Sequence, residues 1–478
     1  MSAEVFDYIV IGSGAGGASA ARILADSGSS IAIVEEGPAA STDEFSDRSF
    51  PTLIRLYRDM GAQVTRGRAP MLVIQGRCLG GSTVVNSAIM RRLPEEVWNE
   101  WRDDHRLGDG LPFREVDEAS VAIEAELKAV PTPVAVWGGN NRLLSRAAAE
   151  RGITGSPTLR NAPGCRGSAR CNLGCPHGAK QSMQLSYIPY ATARGAQVFT
   201  DERVERVLLQ GGRATGIQTR RRSLVARRAV LVAASAVETP RLLRRSGIRS
   251  RHLGRHFQGH PGMAIVGLFD EEVRLGHGAT QGYELDGLRS EGRVKIETLA
   301  LPPETFFGGL PGVGSEWVGL MSEFAHAAVW VLPLRSLAEG EVGIGRRQGS
   351  IRFSLDPRDL PHLRRGLRQA ADLLFAAGAR EVVCPVHGLP HRLRPDQASL
   401  IEEAGRDASA FPLAISHLFG TTRMSPGPDA GVVAPDFRVH DTDNLYVVDA
   451  SVFPTNLGVN PQLAIMALAR IAAGRIIG

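Results

Sequence analysis

The chain has 478 residues, 43% of them hydrophobic, enough for a large core and more than one domain. Its net charge of +5 is mild, and its basic residues (all arginine except Lys128, Lys180 and Lys295) are scattered, which argues against a nucleic-acid surface. Five cysteines behind an opening with no basic leader point to reduced thiols in the cytoplasm, and no apolar run reaches the roughly 18 residues of a membrane span.

Asp7 to Ile11 is an apolar run of strand length. It ends in Gly12-Ser13-Gly14-Ala15-Gly16-Gly17, a G-x-G-x-x-G turn, and helical composition follows from Ala18 to Asp26. A second strand, Ser30 to Val34, stops at Glu35. This is the dinucleotide-binding unit. Gly12 permits the turn, Gly14 lets a pyrophosphate approach the backbone beside Ala15, and Gly17 lets the helix pack on the strand. The helix N-terminus offers N–H groups to phosphate, and Glu35 can accept from a ribose diol. The unit alone does not distinguish FAD from NAD.

A polar loop, Pro38 to Asp47, and a helix up to Gly61 come next. Gln75 to Asn86 is a second glycine-rich stretch. Residues 94 to 151 alternate helices with short breaks, 161 to 180 is a cysteine loop, and Gln197 to Gln210 reads as paired strands. Arg228 to Ala233 is a strand leading into a helix at Ser235. Strand-like runs at Ala264 to Phe269, Ala328 to Leu332 and Ser350 to Leu355 surround helices near 313 to 326 and 358 to 377. That pattern predicts a separate α+β substrate domain. A strand from Asn444 to Val448 and a terminal core helix close the chain.

Five motifs together resemble the glucose–methanol–choline (GMC) flavoprotein oxidoreductases. They are the amino-terminal unit, Gly76 to Asn86, Ser235 to Ile248, Ser416 to Met424, and Asn444 to Pro461. Met90 stands where the family usually has an aromatic, and Arg249 replaces a closing glycine. The resemblance implies an α/β fold: a Rossmann-like FAD-binding domain from discontinuous segments plus the α+β substrate-binding domain. The expected divisions are 1–262, 263–410 and 411–478. It implies FAD with Gly81 and Ser82 close under the flavin ring and Asn86 near it. The backbone of Val204 would meet adenine, and Asp449 and Ala450 would meet the phosphate and ribityl region. Asn460, Pro461 and Gln462 would complete the cofactor site.

It also implies chemistry. His417 would accept the hydroxyl proton of an alcohol, a sugar or a sterol-like substrate, because histidine is the side chain whose ordinary pKa lies near neutrality. Asn460 would hold the substrate oxygen, hydride would pass to flavin N5, and oxygen or another acceptor would reoxidise the flavin. A non-redox member of the fold, a lyase or a decarboxylase, is the alternative. His256, His260 and His440 are read as structural. Cys165, Cys171 and Cys175 have the spacing C-x5-C-x3-C followed by Pro176. That resembles iron–sulfur loops of FAD-dependent sugar dehydrogenases. A loop of reduced thiols explains the same residues.

Overall fold

The computed structural model describes residues 4–45, 47–345 and 349–478. Met1 to Ala3 and, within the polar loop, Ser46 lie outside them. The first strand, β1 (Glu4–Ile11), runs parallel to β2 (Ile31–Val34) on one side and to the Ser223–Val232 strand on the other. Helix α1 (Ala15–Asp26) crosses between β1 and β2. Ile11 lies level with both Val34 and Val232, and Val232 with Val447 of the Leu445–Val447 strand. Four parallel strands therefore end at one edge, where open α/β sheets form their ligand crevice. The turn at Gly12, Glu35, Ala233–Ser235 and Val448–Ala450 all leave from that edge.

Gln197–Phe199 and Val204–Gln210 are both strands, as expected, but they do not pair with each other. The first adds to β2 at one end of the sheet, and the second pairs with Arg213–Thr219 at the other end. Only four residues separate them, and their alternation carries no information about which edge each joins.

Among the described residues the second sheet has nine strands, built around Gln258–Leu268, which pairs antiparallel with Ala327–Pro333, Glu381–Val383 and Ala414–Phe419. It also recruits Gln63–Val64, Leu72–Val73 and Ser156–Pro157 from the amino-terminal half. The second sheet thus draws strands from outside the 263–410 block. His417 stands in this second sheet, whereas Asn460 follows the strand that returns to the first. The predicted helices appear at Gly314–Met321, Leu360–Ala376 and Gln462–Ile477. The last is buried over most of its length and packs across α1.

Candidate active site

One continuous cavity of about 1410 Å³ runs between the two sheets. That exceeds an ordinary small-ligand pocket of roughly 300–1,000 Å³ and leaves room for a cofactor and a substrate together. Every residue expected at the cofactor lines it except Gly17. Gly17 instead has the packing role: a Cβ there would stand 2.0 Å from the Gly12 carbonyl oxygen.

The cavity follows from the converging strand ends. Gly14 caps α1 with no side-chain hydrogen bond, so the first N–H groups of the helix have no capping oxygen. A Cβ on Gly14 would meet only Gly81 Cα, at 3.9 Å, so the space beside the turn is open. A bare backbone facing open space at a helix N-terminus fits a pyrophosphate. Ser13 Oγ ties this turn to the second glycine stretch: it receives the Gly80 N–H at 2.9 Å and donates to Glu35 Oε2 at 2.6 Å. The Glu35 carboxylate also accepts from Ser13 N and Gly37 N. Burial raises its pKa against those hydrogen bonds. Glu35 is therefore first a clamp on its own turn, and a ribose would share its oxygens.

Asp449 behaves similarly. It accepts from Ser235 N and Ser451 N at 2.9 Å each and from the Thr239 hydroxyl, which fastens the carboxy-terminal strand to the Ser235–Arg245 helix. Asn86 donates to Gln462 and accepts from Ala88 N, and Gln462 in turn reaches Met90 Sδ at 3.2 Å. The methionine that departs from the family pattern is thus seated under the Asn86–Gln462 pair.

His417 and Asn460 both line the cavity. Sequence reasoning left His260 as structural, but the structure brings it against His417. In the pairing of Gln258–Leu268 with Ala414–Phe419, Gly259 faces Leu418 and Pro261 faces Ile415. His260 is left opposite both Ser416 and His417, a β-bulge that turns the two rings together. Their Nδ1 atoms lie 3.0 Å apart. The Gly458 N–H donates to His260 Nε2 at 2.9 Å, so neutral His260 carries its proton on Nδ1 and gives it to His417 Nδ1. Neutral His417 then has its own proton on Nε2. Burial pushes His417 down to about 4, with Glu297 opposing, and pushes His260 well below the usual histidine range.

Two further groups were invisible to motif reasoning. Lys295 and Glu297 lie in a region without a signature, yet both are buried next to the pair. Lys295 Nζ donates to Asn460 Oδ1 at 3.0 Å and to Glu297 Oε1 at 2.6 Å, and it forms an ion pair with Glu284. Lys295 is one of only three lysines in an arginine-rich chain. That was the one signal available.

The cysteine loop is not laid out as a metal centre. Arg160 donates to Cys171 Sγ at 3.0 Å and to Cys165 Sγ at 3.8 Å, so those thiols face a cation. The gap that they share with Cys175 is about 10 Å³, at most the space of one water. Among the described residues no group of three or more His, Cys, Asp or Glu side chains could hold a metal ion. The expected iron–sulfur cluster is therefore not supported. The loop instead braces the cavity wall. Lys180 Nζ donates to the carbonyls of Val84, Asn86 and Cys171, and Arg160 Nε donates to that of Ser87. Lys180→Met is expected to leave the Val84 and Asn86 carbonyls unpaired, at about 1–3 kcal/mol each, while Cys171 keeps the Gly174 N–H. Lower thermal stability together with faster loss of bound flavin on gel filtration would confirm the brace; unchanged retention would refute it.

Family models described as GMC oxidoreductase match residues 6–262 and 345–469. The chain belongs to the GMC oxidoreductase family. It is similar to a GMC-type oxidoreductase of Mycobacterium tuberculosis whose activity is uncharacterized, with 36% identity covering 98% of this chain and 76% of that one. It is also similar to a long-chain-alcohol oxidase of Arabidopsis thaliana, at 27% identity over 98% of this chain and 66% of that protein. Among solved structures, a formate oxidase of Aspergillus oryzae superposes with a TM-score of 0.74 at 16% identity, covering 100% of this chain and 98% of that one. At that identity the likeness shows the GMC fold alone. Among the described residues no helix is long and apolar enough to cross a membrane.

Proposed function

We propose that this GMC oxidoreductase binds FAD and oxidises an alcohol to its carbonyl. The observation that carries the reading is that His417 and Asn460 both line the cavity that the glycine turns also line. Bound there, FAD would supply the hydride acceptor at N5. Gly12, Gly14 and Ala15 would hold its pyrophosphate, Glu35 its ribose and Val204 its adenine. Gly81, Ser82, Asn86, Asp449, Ala450, Pro461 and Gln462 would surround the rest. Asn460 holds the substrate oxygen, and His417 takes the hydroxyl proton.

The second layer contributes Leu299, Leu301, Leu310, Val331 and Val386 to the wall, a lining that suits an apolar alcohol better than a sugar. The long-chain-alcohol oxidase among the relatives supports the same choice.

The hydrogen bond from Gly458 favours a second role for the same ring. In this role neutral His417, with its proton on Nε2, holds the substrate oxygen by donating to it, and the hydroxyl proton leaves to solvent water instead of to the ring. The two roles predict opposite pH behaviour. A base must be neutral, so flavin reduction falls as pH drops through about 4, the value set by burial. A donor keeps its Nε2–H on both sides of that pH, and the rate stays level. The experiment is anaerobic stopped-flow reduction with a panel of aliphatic alcohols, sterols and sugars, followed across pH with the best of them. Oxygen and an artificial dye, each offered as acceptor, separate oxidase from dehydrogenase. A flavin that no alcohol bleaches would favour a lyase or a decarboxylase.

A further inference from the structure

Lys295 immediately precedes the strand Ile296–Thr298, and its side chain is 1% exposed among groups that use its three N–H bonds. Glu297 accepts one at 2.6 Å, Asn460 Oδ1 accepts one at 3.0 Å, and Glu284 pairs with the remaining face. Arg91 pairs with Glu284 at 2.5 Å, and Gln281 donates to Glu297 Oε2 at 2.8 Å. Two cations and two carboxylates balance, so burying the ammonium leaves no net charge beside the cavity. Burial alone would lower the Lys295 pKa, but Glu297 and Glu284 outweigh it and hold the ammonium above its usual range.

An ammonium has donors only, and an asparagine amide has one oxygen and one NH₂. The usual ambiguity in which way an amide points is removed when one side of it faces Lys⁺. We infer that Lys295 is a positioning residue that turns the Asn460 amide, so that Nδ2–H and not the oxygen faces the cavity beside His417. Among the described residues Nδ2 has no protein partner, and Asn460 lines the cavity. The wall there is a hydrogen-bond donor, matched to an oxygen that gains negative charge when an alcohol loses its proton. Without Lys295 the amide is free to turn over and present an acceptor. The inference rests on the proposed role of Asn460 as the group that holds the substrate oxygen.

The test uses the FAD-loaded full chain and two probes that share an apolar tail, decanoate and decylamine, with binding read from the flavin absorbance. Wild type should take decanoate in preference. Lys295→Met should weaken decanoate by about tenfold or more without weakening decylamine, and in an Asn460→Ala background the same substitution should change neither probe. Loosened packing would weaken both probes alike. Loss of the Lys295 charge acting directly on the probe would persist without Asn460. Either result overturns the inference, as does a wild-type preference for decylamine. If Lys295→Met fails to fold because two carboxylates lose their cation, Lys295→Met with Glu297→Gln removes one of them and is read by the same criteria. A flavin that no alcohol reduces, with the probe pattern intact, would sink the proposed oxidation and leave the orientation of Asn460 standing.

Discussion

His417→Ala is expected to keep FAD bound and to slow its reduction by alcohol roughly 10²- to 10⁴-fold, the usual worth of a positioned acid–base group. In the proposed reading the flavin is held by the glycine turns, Asp449 and Asn86, so removing the His417 ring leaves those residues in place. The rate falls under either role, since removal of the ring deletes the proton acceptor and the donor alike. The pH profile of wild type then tells which was lost. His260→Ala should do less. It removes the neighbour that sets the tautomer at the bulge but leaves His417 in the cavity wall. The measurement is single-turnover reduction of the purified variants at matched flavin content. A His417→Ala enzyme reduced as fast as wild type would mean that the reacting end of the cavity lies elsewhere.

Gly16→Ala is expected to be among the costliest single methyl additions in the cofactor domain. A Cβ at Gly16 would stand 1.9 Å from the Val448 carbonyl oxygen, far inside contact distance, and the neighbour is backbone that cannot rotate away. Overpacking a core usually costs about 1–3 kcal/mol, and a clash with main chain belongs at or above the top of that range. The consequence is functional, because Val448 leads directly into Asp449 and Ala450 and on to the loop that carries Asn460. Displacing that strand should release FAD and misplace the amide together. The check is flavin content and thermal unfolding beside Ser13→Ala, which adds no bulk but breaks the Gly80–Ser13–Glu35 link. If Gly16→Ala holds its flavin as wild type does, the contact between α1 and the carboxy-terminal strand is looser than the structure has it.

These two substitutions also mark what was legible from the sequence. The Gly12–Gly17 turn, Glu35, the second glycine stretch and the Ser235 helix could be read directly, because a local motif carries its own geometry: a glycine spacing at a strand end sets a turn whatever packs around it. His417 and Asn460 were legible for a related reason, since each stands inside a signature. The pattern also placed the terminal helix and both helices of the second layer, where apolar spacing matches the helical repeat.

Tertiary structure decided the rest. Gly16 is an ordinary x in G-x-G-x-x-G, and only the return of the chain at Val448 makes its missing side chain necessary. The two strands of Gln197–Gln210 went to opposite edges because register is chosen by neighbours and not by alternation. The cysteine loop had metal-like spacing, but Arg160 and Lys180 arrive from outside that spacing and turn the loop into a brace. His260 and Lys295 stand in no motif. A bulge brings one to His417, and a neutral group of three buried charges and the half-buried Arg91 brings the other to Asn460. Local sequence determined the turns and picked out His417 and Asn460, the side chains proposed to react, from their own neighbours in the chain. Which nitrogen of His417 carries the proton, and which face of Asn460 meets the substrate, depend on partners 157 and 165 residues away, and only the packed sheets bring those together.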